Sequence, residues 1–198
     1  LVIFSTEATD FPNRLRATCR AIPRLGSGGS PLVALNLTKN RSREYYVINA
    51  FVRSVKMKIF IASDIHGSEH YCKIMAEKYR EESADKLLLL GDLLYHGPRN
   101  DLPLVYNPRG VIAILNSLKN EIICVRGNCD TEVDQMVLDF PIMAEYAIIY
   151  DGNKTIYATH GHKFNPQNPP MLKSGDILLN GHTHIPANEA FGEFYYVN

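Results

Sequence analysis

Short apolar runs recur along the chain from residue 57 onward, and each gives way to a polar residue of the metal-ligand type. The runs 59–62, 87–90, 122–125, 156–158 and 177–179 lead into Asp64, Asp92, Asn128, His160 and His182. Runs of three or four residues rich in Ile, Leu, Val and aromatics read as strands covered on both faces. Ligands of open α/β sheets collect outside the carboxyl ends of the strands. A chain that repeatedly places Asp, Asn or His there is assembling one polar site from scattered segments. Chance accounts for one or two such placements and not for five.

Between the runs the hydrophobic period lengthens to that of helices. Ser68 is positioned to cap a helix over 69–82, whose buried stripe is Cys72, Met75, Ala76 and Tyr79. A polar loop over 96–101 precedes a second helix entered at Asn107-Pro108, with Val111, Ile114, Leu115 and Leu118 on one face. Beyond residue 141 the pattern turns strand-rich. Segments 146–150 and 155–159 flank Asp151-Gly152-Asn153, a hairpin signal, and 190–197 also reads as β. No internal repeat is visible.

Residues 1–56 are a different kind of sequence. They contain three prolines, seven arginines and the stretch Gly26-Ser27-Gly28-Gly29-Ser30, with no sustained helical period. Segments 31–37 and 45–52 are apolar enough for isolated strands. Met57-Lys58, directly before the first strong strand, reads as an initiation site. The favoured division is therefore a non-native or disordered N-terminal extension over 1–56 and a folded domain over 57–198. A basic, transit-like arm is the alternative.

At 198 residues and 22.3 kDa the chain suits one ordinary domain with a sizeable core. No stretch approaches the roughly 18 uninterrupted apolar residues of a membrane helix. Cys19, Cys72, Cys124 and Cys129 show no C-x-x-C spacing and read as reduced thiols of a cytoplasmic protein. The formal net charge of zero divides into +6 over residues 1–56 and −6 over 57–198. An acidic part over 57–198 disfavours non-specific nucleic-acid binding, which wants a basic face.

The polar motifs in order are Asp64-Ile65-His66, Gly91-Asp92, Gly127-Asn128-Cys129-Asp130, His160-Gly161-His162 and Gly181-His182-Thr183-His184. Carboxylate, imidazole and amide oxygen without paired thiolates suit Mn²⁺, Fe²⁺, Zn²⁺, Ni²⁺ or Co²⁺ and not a structural zinc site. Glycine before Asp92, Asn128 and His182 lets backbone and ligand crowd together. Taken singly, each of these residues is as readily a cap or turn residue; the ordered set is what carries weight.

This ordered set resembles the calcineurin-like metallophosphoesterase superfamily, with its pattern D-x-H, G-D, G-N-H/C, H, G-H-x-H. The stretches 63–68, 91–100 and 126–136 are closer still to the small bacterial YfcE-type phosphodiesterases, and the resemblance covers 57–198. It implies a four-layer α/β/β/α sandwich of the metallo-dependent phosphatase type. It also implies a phosphodiesterase with two divalent ions, Mn²⁺ favoured, acting on a small phosphodiester by attack of a metal-bridging hydroxide. Carried over residue by residue, Asp64, His66, Asp92 and His184 hold one metal. Asp92 bridges, and Asn128, His160 and His182 complete the second. Asn128, His96 and Arg99 are candidates for the substrate phosphate, with loop stabilisation nearly as good a reading for the last two.

Two departures stand out. Cys129 occupies the position where many members carry His, which leaves the proton donor open among His96, His162 and Cys129. The chain also ends at Asn198, where members continue into further strands, so the C-terminal strands are expected to be truncated. Among bystanders, His70 reads as solvated and Cys124 as core, while Asp130 either supports its neighbours or caps the following helix. The rival to an enzyme is a protein-interaction scaffold on the same fold, like the retromer subunit. A nuclease is disfavoured by the acidic part and the lack of a basic stacking groove. Self-association into a homo-oligomer stays open.

Overall fold

A computed structural model describes residues 57–198 throughout, together with the strand backbones at 2–5, 33–39 and 46–52. In chain order the elements are β1 (Val2–Ser5), β2 (Val33–Lys39), β3 (Tyr46–Val52), β4 (Lys58–Ala62), α1 (Glu69–Glu81), β5 (Lys86–Leu89), α2 (Pro108–Ser117), β6 (Ile122–Cys124), α3 (Glu132–Gln135), β7 (Ala147–Asp151), β8 (Lys154–Ala158), β9 (Ile177–Leu179), β10 (Asn188–Phe191) and β11 (Phe194–Val197).

The first sheet has the order β1-β4-β5-β6. Strands β4, β5 and β6 run parallel, so each connection crosses over through a helix. Alternation decides what each strand buries. Phe60, Ala62, Leu87, Leu89 and Cys124 turn to one face, where α1 and α2 pack with Cys72, Met75, Tyr79, Val111 and Leu115. Ile59, Ile61, Leu88, Leu90 and Val125 turn to the other face and meet Ile156, Ala158, Leu179 and Val197 of the second sheet. Leu87 through Leu90 are all at or below 2% exposure, and each such side chain contributes roughly 1.5–3 kcal/mol.

The second sheet has the order β10-β11-β9-β8-β7. The expected hairpin is present, with Asp151 opposite Lys154 across a two-residue turn in which Gly152 adopts φ +57°. The segment foreseen as one β stretch over 190–197 is a second hairpin, β10–β11, broken at Gly192, which takes φ +61°. Two sheets with α1 and α2 outside the first supply three of the four layers. Among the described residues no helix covers the outer face of the second sheet; Phe164, from the loop after β8, packs edge-on against Tyr157 there.

Helix α1 starts as its sequence predicts. The Ser68 hydroxyl accepts from the Tyr71 amide at 3.3 Å and donates to the Leu104 carbonyl at 2.6 Å. Its buried residues are the four foreseen. Helix α2 begins with Pro108 at its first turn and buries Val111 and Leu115.

Strand β1 pairs antiparallel with β4 in the unit that holds residues 57–198. This strand was not foreseen. Strands β2 and β3, close to the two apolar stretches expected upstream, form an antiparallel pair inside a separate unit, 7–56. The remaining expectations for residues 1–56 lie outside the described residues. Among the described residues no helix is long and apolar enough to cross a membrane.

Candidate metal centre

The five motifs converge at the carboxyl ends of β4, β5, β6, β8 and β9. The chain leaving β4 is laced to the chain leaving β5. Asp64 N–H donates to the Gly91 carbonyl at 3.1 Å, His66 N–H to that of Asp92 at 2.9 Å, and Gly67 N–H to that of Leu93 at 2.9 Å. From the second sheet, Gly181 N–H donates to the His160 carbonyl at 2.8 Å and His182 N–H to Asp64 Oδ2 at 2.9 Å. Glycine is required where these segments meet. A Cβ on Gly127 would lie 2.0 Å from Asp92 Oδ1, and one on Gly181 would lie 2.0 Å from Ser63 Oγ.

All seven side chains expected as ligands lie in two clusters that share Asp92. In the first, His184 Nε2 is 3.1 Å from His66 Nε2 and 3.2 Å from Asp64 Oδ1. His66 Nε2 is 3.7 Å from Asp92 Oδ2. In the second, His160 Nε2 is 3.4 Å from the same Asp92 oxygen, 3.0 Å from Asn128 Oδ1 and 3.1 Å from His182 Nδ1. Asp64, His66, Asp92, His182 and His184 all have positive φ, between 48° and 71°. Non-glycine residues pay of order 1–3 kcal/mol for such backbone, and it persists where the surroundings dictate it, typically at functional sites.

These donors suit divalent cations. His66 and His160 turn Nδ1 to the carbonyls of Tyr95 and Leu90, each at 2.8 Å. A carbonyl accepts only, so Nδ1 carries the hydrogen and Nε2 faces the cluster. Burial alone would raise the Asp64 carboxyl, yet its contact with His66, the His160 charge and the His182 amide hold it well below the usual carboxylate range. Asp92 is likewise lowered despite burial, chiefly by His160. Burial opposes charge on His66 and His160, but their carboxylate partners, Asp64 and Asp92 respectively, raise both. Burial and the neighbouring His160 lower His162 and His182. The carboxylate oxygens and imidazole nitrogens thus converge as groups of the kind that could hold a divalent cation.

The candidate proton donors and phosphate contacts surround this centre. Cys129 Sγ lies in a group with the donor atoms of His66 and Asp92 and accepts from Asn128 Nδ2 at 3.2 Å. Burial, with Asp92 beside it, pushes the thiol up to about 12. The His162 ring stands 5.5 Å from that of His160. His96 is held edge-on between Tyr95 and Tyr106, at 4.8 and 5.3 Å. The Nδ1 atoms of both His96 and His162 are buried without a hydrogen-bond partner among the described residues. Arg99 is exposed at the tip of the same loop, and its charge reaches His182. His70 is exposed and Cys124 is core, as expected.

Of the two readings open for Asp130, capping is absent. Thr131 caps α3 in a capping box with Asp134, which leaves the Asp130 carboxylate to backbone amides of the ligand loops. The carbonyls of Tyr95 and Leu90 were not foreseen either, because any residue type supplies a carbonyl.

The profile of the calcineurin-like phosphoesterase superfamily domain matches residues 57–198. Phosphodiesterase YfcE of Escherichia coli strain K12 is 46% identical over 142 residues, which are 72% of this chain and 77% of the relative. A solved structure of YfcE, described as a phosphoesterase from E. coli, superposes with a TM-score of 0.70 at 46% identity, over 72% of this chain and 78% of that one. Vps29 of Chaetomium thermophilum superposes with a TM-score of 0.46 at 18% identity, over 71% and 70%, and at that distance carries no functional weight.

Proposed function

The chain belongs to the calcineurin-like phosphoesterase superfamily, and from that membership we propose that it is a metal-dependent phosphodiesterase whose chemistry resides in residues 57–198. Asp64, His66 and His184, with Asp92, hold one divalent ion. Asn128, His160 and His182, with the same Asp92, hold the other. The observation that carries this reading is the single Asp92 oxygen facing both imidazole clusters. When bound, two such ions supply a water of lowered pKa and positive charge against the phosphoryl oxygens.

The remaining steps fall to the chain's own residues. Asn128 at the rim, with His96 and Arg99 on the loop after β5, orients the phosphoryl group of a small diester. A thiol raised to about 12 gives up its proton poorly, and burial with the neighbouring His160 lowers His162 from its ordinary value. Leaving-group protonation then rests on His96, His162 or solvent, and diesters with good leaving groups are favoured. A scaffold without chemistry has no use for five ligand-type residues in left-handed backbone.

Hydrolysis of an activated aryl phosphodiester should vanish on exhaustive chelation and return with Mn²⁺. Undiminished turnover by metal-free protein overturns the proposal.

A further inference from the structure

Asp130 is 1% exposed, and among the described residues its carboxylate has no cationic side chain bonded to it; Arg126 Nε donates to its backbone carbonyl instead, at 3.1 Å. Its oxygens accept from three amides of two different loops. Oδ2 takes Asp92 N–H at 2.8 Å and Gly127 N–H at 2.7 Å, and Oδ1 takes Leu93 N–H at 2.9 Å. Asp92 stands at φ +55°, so the successive amides of Asp92 and Leu93 form a concave anion-binding turn of the kind that accepts a phosphate or carboxylate oxygen. Asp130 fills that turn from inside the chain. The same bonds draw Gly127 against Asp92, to the separation at which a Cβ would no longer fit, and Cys129 N–H can then reach Asp92 Oδ1 at 2.8 Å.

We propose that Asp130 is the positioning residue of the metal centre: by tying the loop after β5 to the loop after β6, it fixes where the shared carboxylate of Asp92 stands between the two imidazole clusters. It touches neither ions nor substrate. The proposal rests on the two-ion reading above. It differs from a plain structural role in one respect, since it predicts a change in the relation between the two ions beyond any change in stability.

The test uses the full chain as D130A, D130N and, for comparison, D134A, which removes the capping box of α3 next door. Thermal unfolding and circular dichroism report folding. Calorimetric Mn²⁺ titration reports affinity at each position, and electron paramagnetic resonance of the doubly loaded protein reports whether the two ions are exchange-coupled through a common ligand. D130N is near isosteric and keeps one acceptor oxygen, so it decides the matter if D130A does not fold. Folded D130N should bind Mn²⁺ more weakly at one position by about 10- to 100-fold. It should also lose the coupled signal and lower kcat with little change in KM. D134A should lower Tm and keep both the coupling and the affinities. A coupled spectrum and unchanged affinities in folded D130N overturn the proposal alone, as does equal loss in D134A. A wild-type protein that never shows a coupled pair overturns the two-ion reading itself, and this proposal with it.

Discussion

His66 and His184 bring their Nε2 atoms to 3.1 Å of each other, yet only one of the two is held from behind. His66 is anchored through Nδ1 to a carbonyl, and its side chain is 8% exposed against 47% for His184. The second cluster repeats the contrast. His160 is fully buried and anchored to Leu90, whereas Asn128 is exposed and, among the described residues, its side-chain amide bonds only His160 and Cys129. The centre thus has a floor (His66, Asp92, His160) preorganised by backbone and a rim (His184, Asn128) held by other members of the site. Electrostatic preorganisation works when its groups need no rearrangement at the moment of reaction. Damage to the floor should therefore cost far more than damage to the rim.

Asp92→Asn is the largest test of that difference. Asparagine keeps an oxygen to accept from Cys129 N–H, so the fold should survive, but the charge facing both clusters is lost. We expect kcat/KM to fall by at least about 10³-fold, the scale of lost charge stabilisation at two positions, with a native circular dichroism spectrum. Activity within tenfold of wild type would contradict the shared role of this carboxylate.

His184→Ala tests the rim. Asp64 and His66 remain in place, and water can fill the vacated position, so metal affinity should weaken by at least about 10- to 100-fold, the cost of losing even a group behind a ligand. Excess Mn²⁺ should recover most of the rate. If His184→Ala proves as damaging as Asp92→Asn and excess metal does not help, the distinction between floor and rim fails.

The floor and rim were legible in the sequence to different depths. That the seven side chains would come together could be read, because five of them follow strand-like runs and the motifs that also hold His66 and His184 occur in a specific order. Helix α1 was legible for a similar reason: Ser68 signals its start and the stripe from Cys72 to Tyr79 signals its buried face. What stayed hidden acts through backbone atoms. The carbonyls of Tyr95 and Leu90 that orient His66 and His160 leave no mark on residue type. Asp130 could be read as support or as a cap because its partners are amides, and only the capping box at Thr131 and Asp134 removes the second reading. The break between β10 and β11 falls at Gly192-Glu193, a single short turn signal inside an otherwise β-like stretch.

Cys129 stands between floor and rim, and the smallest predicted effect concerns it. Its amide is fixed to Asp92 Oδ1, so the backbone holds this position rigidly while the side chain faces His66 and Asp92. A thiol raised to about 12 is a poor proton donor at neutral pH, which matters little for an aryl leaving group that departs as a stable anion and much for an alkoxide. An imidazole there, with a pKa near neutrality, could protonate the leaving oxygen, and general acid catalysis is worth roughly 10²–10⁴-fold where a reaction depends on it. Only part of that gain is expected from a side chain grafted without its own supporting contacts. Cys129→His should raise kcat/KM for alkyl diesters by about tenfold while aryl diesters change far less, so the dependence on leaving-group pKa becomes shallower. The measurement is kcat/KM for a leaving-group series on both proteins. Parallel dependences would show that protonation does not pass through this position, and would leave the role to His96, His162 or solvent.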